Sequence, residues 1–228
     1  GIWGRWKEFH GINVLGTGHV LEGCRAHAVE KLVFTSSPSV TFDGQDQEGI
    51  DESAPYAQRW LCHYPRSKAM AEKMVLDANG DDLATCALRP HLIWGPHDNQ
   101  LLPRLIERAA RGRLRRIGDG KNMIDMVYVE NAALAQLQAA DRLSAASPVA
   151  GNAYWITQGE PVNCWEWINR LLDCADLPEV KKSIPARLAW LIGFCLETTY
   201  RVLSLPGEPA MTRFLAHQLS SSHYFHIG

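Results

Sequence analysis

The chain has 228 residues, 46% of them apolar and 21% charged, with a formal net charge of −2. That length supports one large domain or two small ones around a substantial core. The near-neutral balance carries no basic excess, so nucleic acid is not an expected partner, and no uninterrupted apolar run of about eighteen residues marks a membrane span.

Six cysteines (Cys24, Cys62, Cys86, Cys164, Cys174 and Cys195) are widely spaced without a C-x-x-C pair. This is the pattern of reduced structural thiols in a cytoplasmic protein, not of a disulfide framework or a zinc site, and no metal is expected. The first residues are charged and lead into no apolar h-region, so they do not read as a signal peptide. Gly1 is not an initiator methionine, which suggests a fragment.

Residues 6–28 read as a helix with Phe9, Ile12, Val14, Val20 and Leu21 on a broad apolar stripe. Gly11, Gly16 and Gly18 weaken it, so it needs close packing. Asn13 lies within it, and its plainer reading is a solvated or back-bonding polar residue. Lys31 to Ser37 reads as a buried parallel strand whose carboxyl end carries Thr35, Ser36 and Ser37. Ligands of open α/β sheets bind beyond such ends, although Ser-Ser-Pro-Ser is also ordinary turn chemistry. Residues 43–59 read as an acidic, solvated loop. A helix is expected from Tyr64 to about Asn79, with Pro65 tolerated in its first turn and Gly80 as its stop. Leu83 onward is another buried strand, reaching Arg89-Pro90 and closed by Gly95-Pro96. Helices alternating with buried strands predict an α/β, doubly wound parallel sheet.

Residues 101–117 form an amphipathic helix and its exit, made basic by Arg104, Arg108, Arg111, Arg113, Arg115 and Arg116. A solvated face is favoured over an anion site there. A short strand at Ile124–Val129, an alanine-rich helix to about Leu143, a strand from Asn152 and a helix over 161–176 follow, with Trp165 and Trp167 expected in the core. The apolar run 188–196 is too short to span a bilayer. It packs on the domain or lies in a membrane interface, with Arg187 and Arg201 at its flanks. From Phe214 to the end no capping pattern is evident.

Tyr64 and Lys68 stand four residues apart, so on a helix they share a face. A phenol titrates near about 10 and is a poor base at neutral pH; an adjacent ammonium is expected to lower that value. A serine hydroxyl opposite would orient a substrate oxygen. Together these residues could move a proton on or off an alcohol while a hydride moves elsewhere.

Asn13-Val-Leu-Gly-Thr with Val20-Leu-Glu-Gly-Cys, Leu32-Val-Phe-Thr-Ser-Ser-Pro-Ser-Val, His63-Tyr-Pro-Arg-Ser-Lys-Ala-Met-Ala-Glu72, Leu88-Arg-Pro-His-Leu-Ile-Trp-Gly-Pro96 and Asp125-Met-Val-Tyr-Val-Glu-Asn-Ala-Ala133 occur in this order. The set resembles the extended short-chain dehydrogenases/reductases of NAD-dependent epimerase/dehydratase type, and within them the 3β-hydroxysteroid and sterol-4-carboxylate 3-dehydrogenase branch. The resemblance implies a partial Rossmann-like doubly wound sheet, residues 1–98 and 124–158, with a smaller, mostly helical substrate-binding region, 99–123 and 159–228. It implies Tyr64 as general acid/base, Lys68 holding the nicotinamide ribose, Ser37 polarising the substrate oxygen with Ser36 as second choice, and Asn13 holding local backbone or a relay water. Thr35, Ser36, Tyr64, Lys68, Pro90, His91 and Ile93 would line the cofactor, NAD with NADP as the alternative. The implied activity is oxidation of a sterol- or steroid-like secondary alcohol. A nucleotide-sugar epimerase or dehydratase, or an inactive fragment, stands as the alternative. Peripheral membrane contact through 188–196 and homodimerisation are left open. The family's G-x-x-G-x-x-G is absent from these residues, so truncation of the first βαβ units, a further loss at the C-terminus and poor NAD binding by the fragment are expected.

Overall fold

In the computed structural model, which describes residues 2–228, the first helix runs in three continuous pieces. These are α1 (Trp6–Phe9), a π-helical turn (His10–Leu15) and α2 (Gly16–Ala26). The widened turn falls at Asn13, whose carbonyl accepts from the Thr17 hydroxyl at 2.6 Å; such turns occur where a side chain intrudes on the regular ladder. There follow β1 (Lys31–Thr35), a 3-10 turn (Pro38–Val40), β2 (Gln47–Ile50), α3 (His63–Asp77), β3 (Ala84–Pro90), β4 (Ile93–Trp94) and α4 (Leu101–Ala110). Then come β5 (Arg116–Ile117), β6 (Met123–Ile124), β7 (Val127–Tyr128), α5 (Val129–Arg142), β8 (Ala153–Ile156) and β9 (Val162–Asn163). The chain finishes with α6 (Cys164–Cys174), β10 (Ser183–Ile184), α7 (Ala186–Val202), α8 (Arg213–Gln218) and β11 (His223–Phe225).

β1, β3 and β8 form a parallel sheet in that order, with Thr35 opposite Leu88. Successive side chains of β1 serve opposite faces, as strand geometry requires. Leu32 joins Leu21, Cys24, Leu83 and Met74 under α2 and α3, while Val33 joins Ala84, Cys86, Leu143 and Ala139 under α5. Helices therefore cover both faces, and β3 is buried from Ala84 to Arg89. α3 is tied to β3 by Arg89 Nε donating to Glu72 Oε2 at 3.0 Å, with Glu72 wholly buried and also accepting from the Tyr56 hydroxyl at 2.8 Å.

A second core gathers Ile117, Ile124, Met126, Trp165, Ile168, Leu172, Ala189 and Ala216. α7 crosses α8 at Gly193, where an added Cβ would lie 2.6 Å from the Thr212 carbonyl carbon. The same contact is fixed by buried Glu197, which accepts from the Arg213 backbone at 2.7 Å and from its guanidinium.

One expectation needs correction. The acidic stretch 43–59 holds a strand, β2, which pairs in parallel with β11. The Thr212 side chain accepts from Leu215 N and opens α8. The apolar run 188–196 is the middle of a 17-residue helix. None of the helices is long and apolar enough to cross a membrane among the described residues. The arginines of 104–116 are largely spent within the protein: Arg104 pairs with Glu208 at 2.9 Å, Arg111 with Glu107 at 2.8 Å, and Arg108 donates to the Ala210 carbonyl.

Candidate active site

The site lies where β1 ends and α3 begins. Tyr64 and Lys68 sit one turn apart on α3, with Pro65 in the first turn where its missing N–H costs nothing. Lys68 lies over the Phe34 ring at 4.2 Å and donates to the Thr35 carbonyl at 2.6 Å. The Thr35 hydroxyl accepts from Gln136 at 3.0 Å, which brings α5 to the same strand end. Ser37, extended at φ −158, precedes the 3-10 turn and shares a 2.9 Å hydrogen bond with the buried Ser39 hydroxyl. Phe9 packs edge-on against the Tyr64 ring.

Burial raises the Tyr64 phenol above its usual value, and the Ser37 hydroxyl pulls it partly back. This corrects the expectation that Lys68 depresses the phenol: the ammonium is committed to Thr35, and desolvation of the ring dominates. Burial in turn lowers Lys68 to about 8, opposed by the carboxylate of Glu72. At neutral pH the phenol therefore keeps its proton and the lysine is mostly a cation.

Asn13 is a neighbour of this group, not a wall of it. Its amide donates to the Ser67 hydroxyl at 2.9 Å, and Ser67 donates to the Tyr64 carbonyl at 2.9 Å. Ser36 is buried with an unpartnered hydroxyl, and its N–H donates to Leu88 O. His91 also departs from expectation, since its ring turns into the protein against His223 at 4.8 Å and Phe225 at 5.2 Å. Pro90 ends β3 beside β1, and Ile93 remains 40% exposed on β4. Sequence reasoning gave no role to Ser39, Phe34, Gln136 or Ser67, although all but Gln136 stood inside a quoted motif.

Lys68 at the Thr35 carbonyl and the Tyr64 phenol beside the Ser37 hydroxyl supply the cation and hydroxyl groups that would suit a nicotinamide ribose, and Ile93 is exposed apolar surface.

A family model described as the 3-beta hydroxysteroid dehydrogenase/isomerase family matches residues 5–186. The chain belongs to that family. Among similar proteins, a 2-alkyl-3-oxoalkanoate reductase of Shewanella oneidensis is 47% identical over all of this chain and 61% of its own length. A sterol-4-alpha-carboxylate 3-dehydrogenase, decarboxylating, of Mus musculus is 36% identical over 95% of this chain and 61% of its own. The chain thus spans about three-fifths of the length of these relatives. Among solved structures, the UDP-glucose 4-epimerase of Thermus thermophilus, a complex with NAD, is 26% identical with a TM-score of 0.61, covering 77% of this chain and 58% of that one. The UDP-glucuronic acid 4-epimerase of Bacillus cereus shares the fold with a TM-score of 0.67 at 20% identity, over 80% of this chain and 59% of that one.

Proposed function

We propose that these residues form the proton-transfer part of an NAD(P)-dependent oxidoreductase that acts on a CH–OH group and interconverts a 3-hydroxy acid and a 3-oxo acid. The observation that carries this reading is the convergence of a protonated Tyr64, a cationic Lys68 and Ser37 at the carboxyl end of β1. In the reducing direction, Ser37 Oγ donates a hydrogen bond to the 3-oxo oxygen and holds its carbonyl against Tyr64. When bound, the nicotinamide supplies the hydride to carbon 3. Tyr64 gives its phenolic proton to the oxygen as negative charge gathers there, and a raised pKa suits that donor role. The resulting phenolate is stabilised by the Ser37 hydroxyl, and Lys68, held by the Thr35 carbonyl, would bind the nicotinamide ribose. Asn13 and Ser67 hold the backbone of Tyr64. NAD is the favoured cofactor and NADP the alternative.

The substrate class rests on what two names share. A 2-alkyl-3-oxoalkanoate carries its oxygen one carbon away from the carbon bearing the carboxylate, and so does a sterol 4-carboxylate oxidised at carbon 3. The reductases are the more similar relatives at 47% and 46% identity, so an alkyl-substituted acid is preferred over a sterol. A nucleotide sugar is disfavoured, because much of the arginine set that would hold its diphosphate is already occupied. Residues 1–98 with 124–158 would carry the cofactor side and 99–123 with 159–228 the substrate side. The exposed apolar side chains of α7, Leu188, Leu191 and Phe194 among them, support peripheral contact with a membrane. Ile12 and Leu15, equally exposed on the first helix, support a homodimer.

The test is nicotinamide absorbance with 2-alkyl-3-hydroxy acids, sterol 4-carboxylates and UDP-sugars, each with NAD⁺ and NADP⁺, alongside direct NADH binding by fluorescence. Oxidation of the hydroxy acids is expected. Turnover of UDP-sugars alone would overturn the reading. With no glycine fingerprint in these residues, binding of NADH weaker than micromolar is expected for the 228-residue chain.

A further inference from the structure

An apolar cavity of about 260 Å³ lies between α4, α6 and α8, walled by Leu105, Leu114, Trp165, Ile168 and Leu215. Trp3 and Thr212 line both this cavity and a second one of about 320 Å³, which extends to Cys62 and His63 immediately before Tyr64. The two spaces therefore adjoin at Trp3 and Thr212, the outer one reaching the start of α3 and the inner one the second core. Their character differs. The outer space is bordered by Arg66, Arg201, Arg213 and Glu197, whereas the inner one is walled mainly by hydrocarbon. The two arginines at the inner cavity, Arg104 and Arg108, are engaged by Glu208 and by the Ala210 carbonyl. An ionised headgroup would find no free partner there, and a hydrocarbon would need none.

We propose that the inner cavity is the binding site for an unbranched alkyl chain of the substrate and that Leu105 and Leu114 set the chain length accepted. This rests on the 3-oxo acid reading for the identity of the substrate, but not for the chemistry of the cavity. At roughly 30 Å³ for each water-sized unit, the space holds about eight or nine methylenes. Each methylene transferred into it tightens binding by roughly three- to fourfold.

Straight-chain saturated fatty acids of increasing length are the probes, with Trp3 and Trp165 in the walls as fluorescent reporters. Affinity is expected to climb with each methylene and level off once the cavity is full. Leu105→Trp is expected to move that plateau to chains several carbons shorter, and Leu114→Phe to move it by fewer; circular dichroism selects variants that retain the wild-type fold. A flat series, or a plateau unmoved in both folded variants, overturns the proposal. So does tighter binding of a rigid steroid carboxylate than of any chain. Chain-dependent binding without turnover of any 3-hydroxy acid would remove the functional reading and leave this site standing. Turnover indifferent to chain length would do the reverse.

Discussion

The Asn13 amide reaches α3 through Ser67, donating to its hydroxyl at 2.9 Å while Ser67 donates to the Tyr64 carbonyl. A polar residue from a π-helical turn thus braces the backbone that carries Tyr64. Ser67 is wholly buried, so Ser67→Ala leaves the Asn13 amide without its partner. Asn13 is only half-buried, so losing this hydrogen bond costs about 0.5–1.5 kcal/mol. Urea denaturation is expected to show a loss of that size, and Ser67→Thr, which keeps a hydroxyl, a smaller one. No loss in Ser67→Ala would show that the bridge does not hold α3 in place.

Glu72 anchors the other side of α3. It lies buried with Arg89 and also takes the Tyr56 hydroxyl. Glu72→Gln strands the guanidinium charge, and breaking a buried pair on one side costs about 3–5 kcal/mol. The same change removes the carboxylate that supports the Lys68 cation, so the lysine is expected to titrate lower still. Chemical denaturation checks the first effect, and the pH dependence of selective amine labelling at Lys68 checks the second.

Gly193 is where α7 meets α8, and a methyl there would overlap the Thr212 and Arg213 backbone. Backbone cannot yield as a flexible side chain does, so Gly193→Ala is expected to separate the helices and cost about 1–3 kcal/mol, as overpacking does. Thermal unfolding measures it. An unchanged melting temperature would mean that the two helices do not meet as closely as described.

Acid is expected to weaken the fold below neutrality. Burial holds His91 well below its ordinary value and lowers His223, and His63 and His217 shift the same way. A histidine whose folded pKa is depressed binds fewer protons folded than unfolded. Stability is therefore full above the unfolded pKa near about 6.5 and falls as pH drops from there through the folded values. Asp125 has the opposite sign, since burial raises its carboxyl, but it acts nearer the carboxylate range. Urea midpoints measured from neutral pH down to about 5 should fall steadily, and His91→Phe should flatten the slope.

Part of this arrangement was legible from residue spacing alone. Tyr64 and Lys68 share a face because any helix puts i and i+4 together, and Leu32 and Val33 divide between two cores because any strand alternates. The hidden parts depend on distant partners. β11 pairs with β2 although His223 and Gln47 lie at opposite ends of the chain, and neither segment shows a strong strand pattern by itself. The inward turn of His91 depends on that same late strand. The tyrosine pKa went the other way because the sequence shows the neighbouring lysine but not the burial of the phenol or the Thr35 carbonyl that claims the ammonium.

The most direct test of the central claim is single-turnover hydride transfer by Tyr64→Phe, followed in a form of the protein that turns over a 2-alkyl-3-hydroxy acid, with NADH binding measured in parallel. Loss of the phenolic proton is expected to slow the step by about 10²- to 10⁴-fold with NADH affinity nearly unchanged. A variant that keeps more than about a tenth of the wild-type rate, well short of the loss expected for an acid/base, would contradict the assignment of Tyr64.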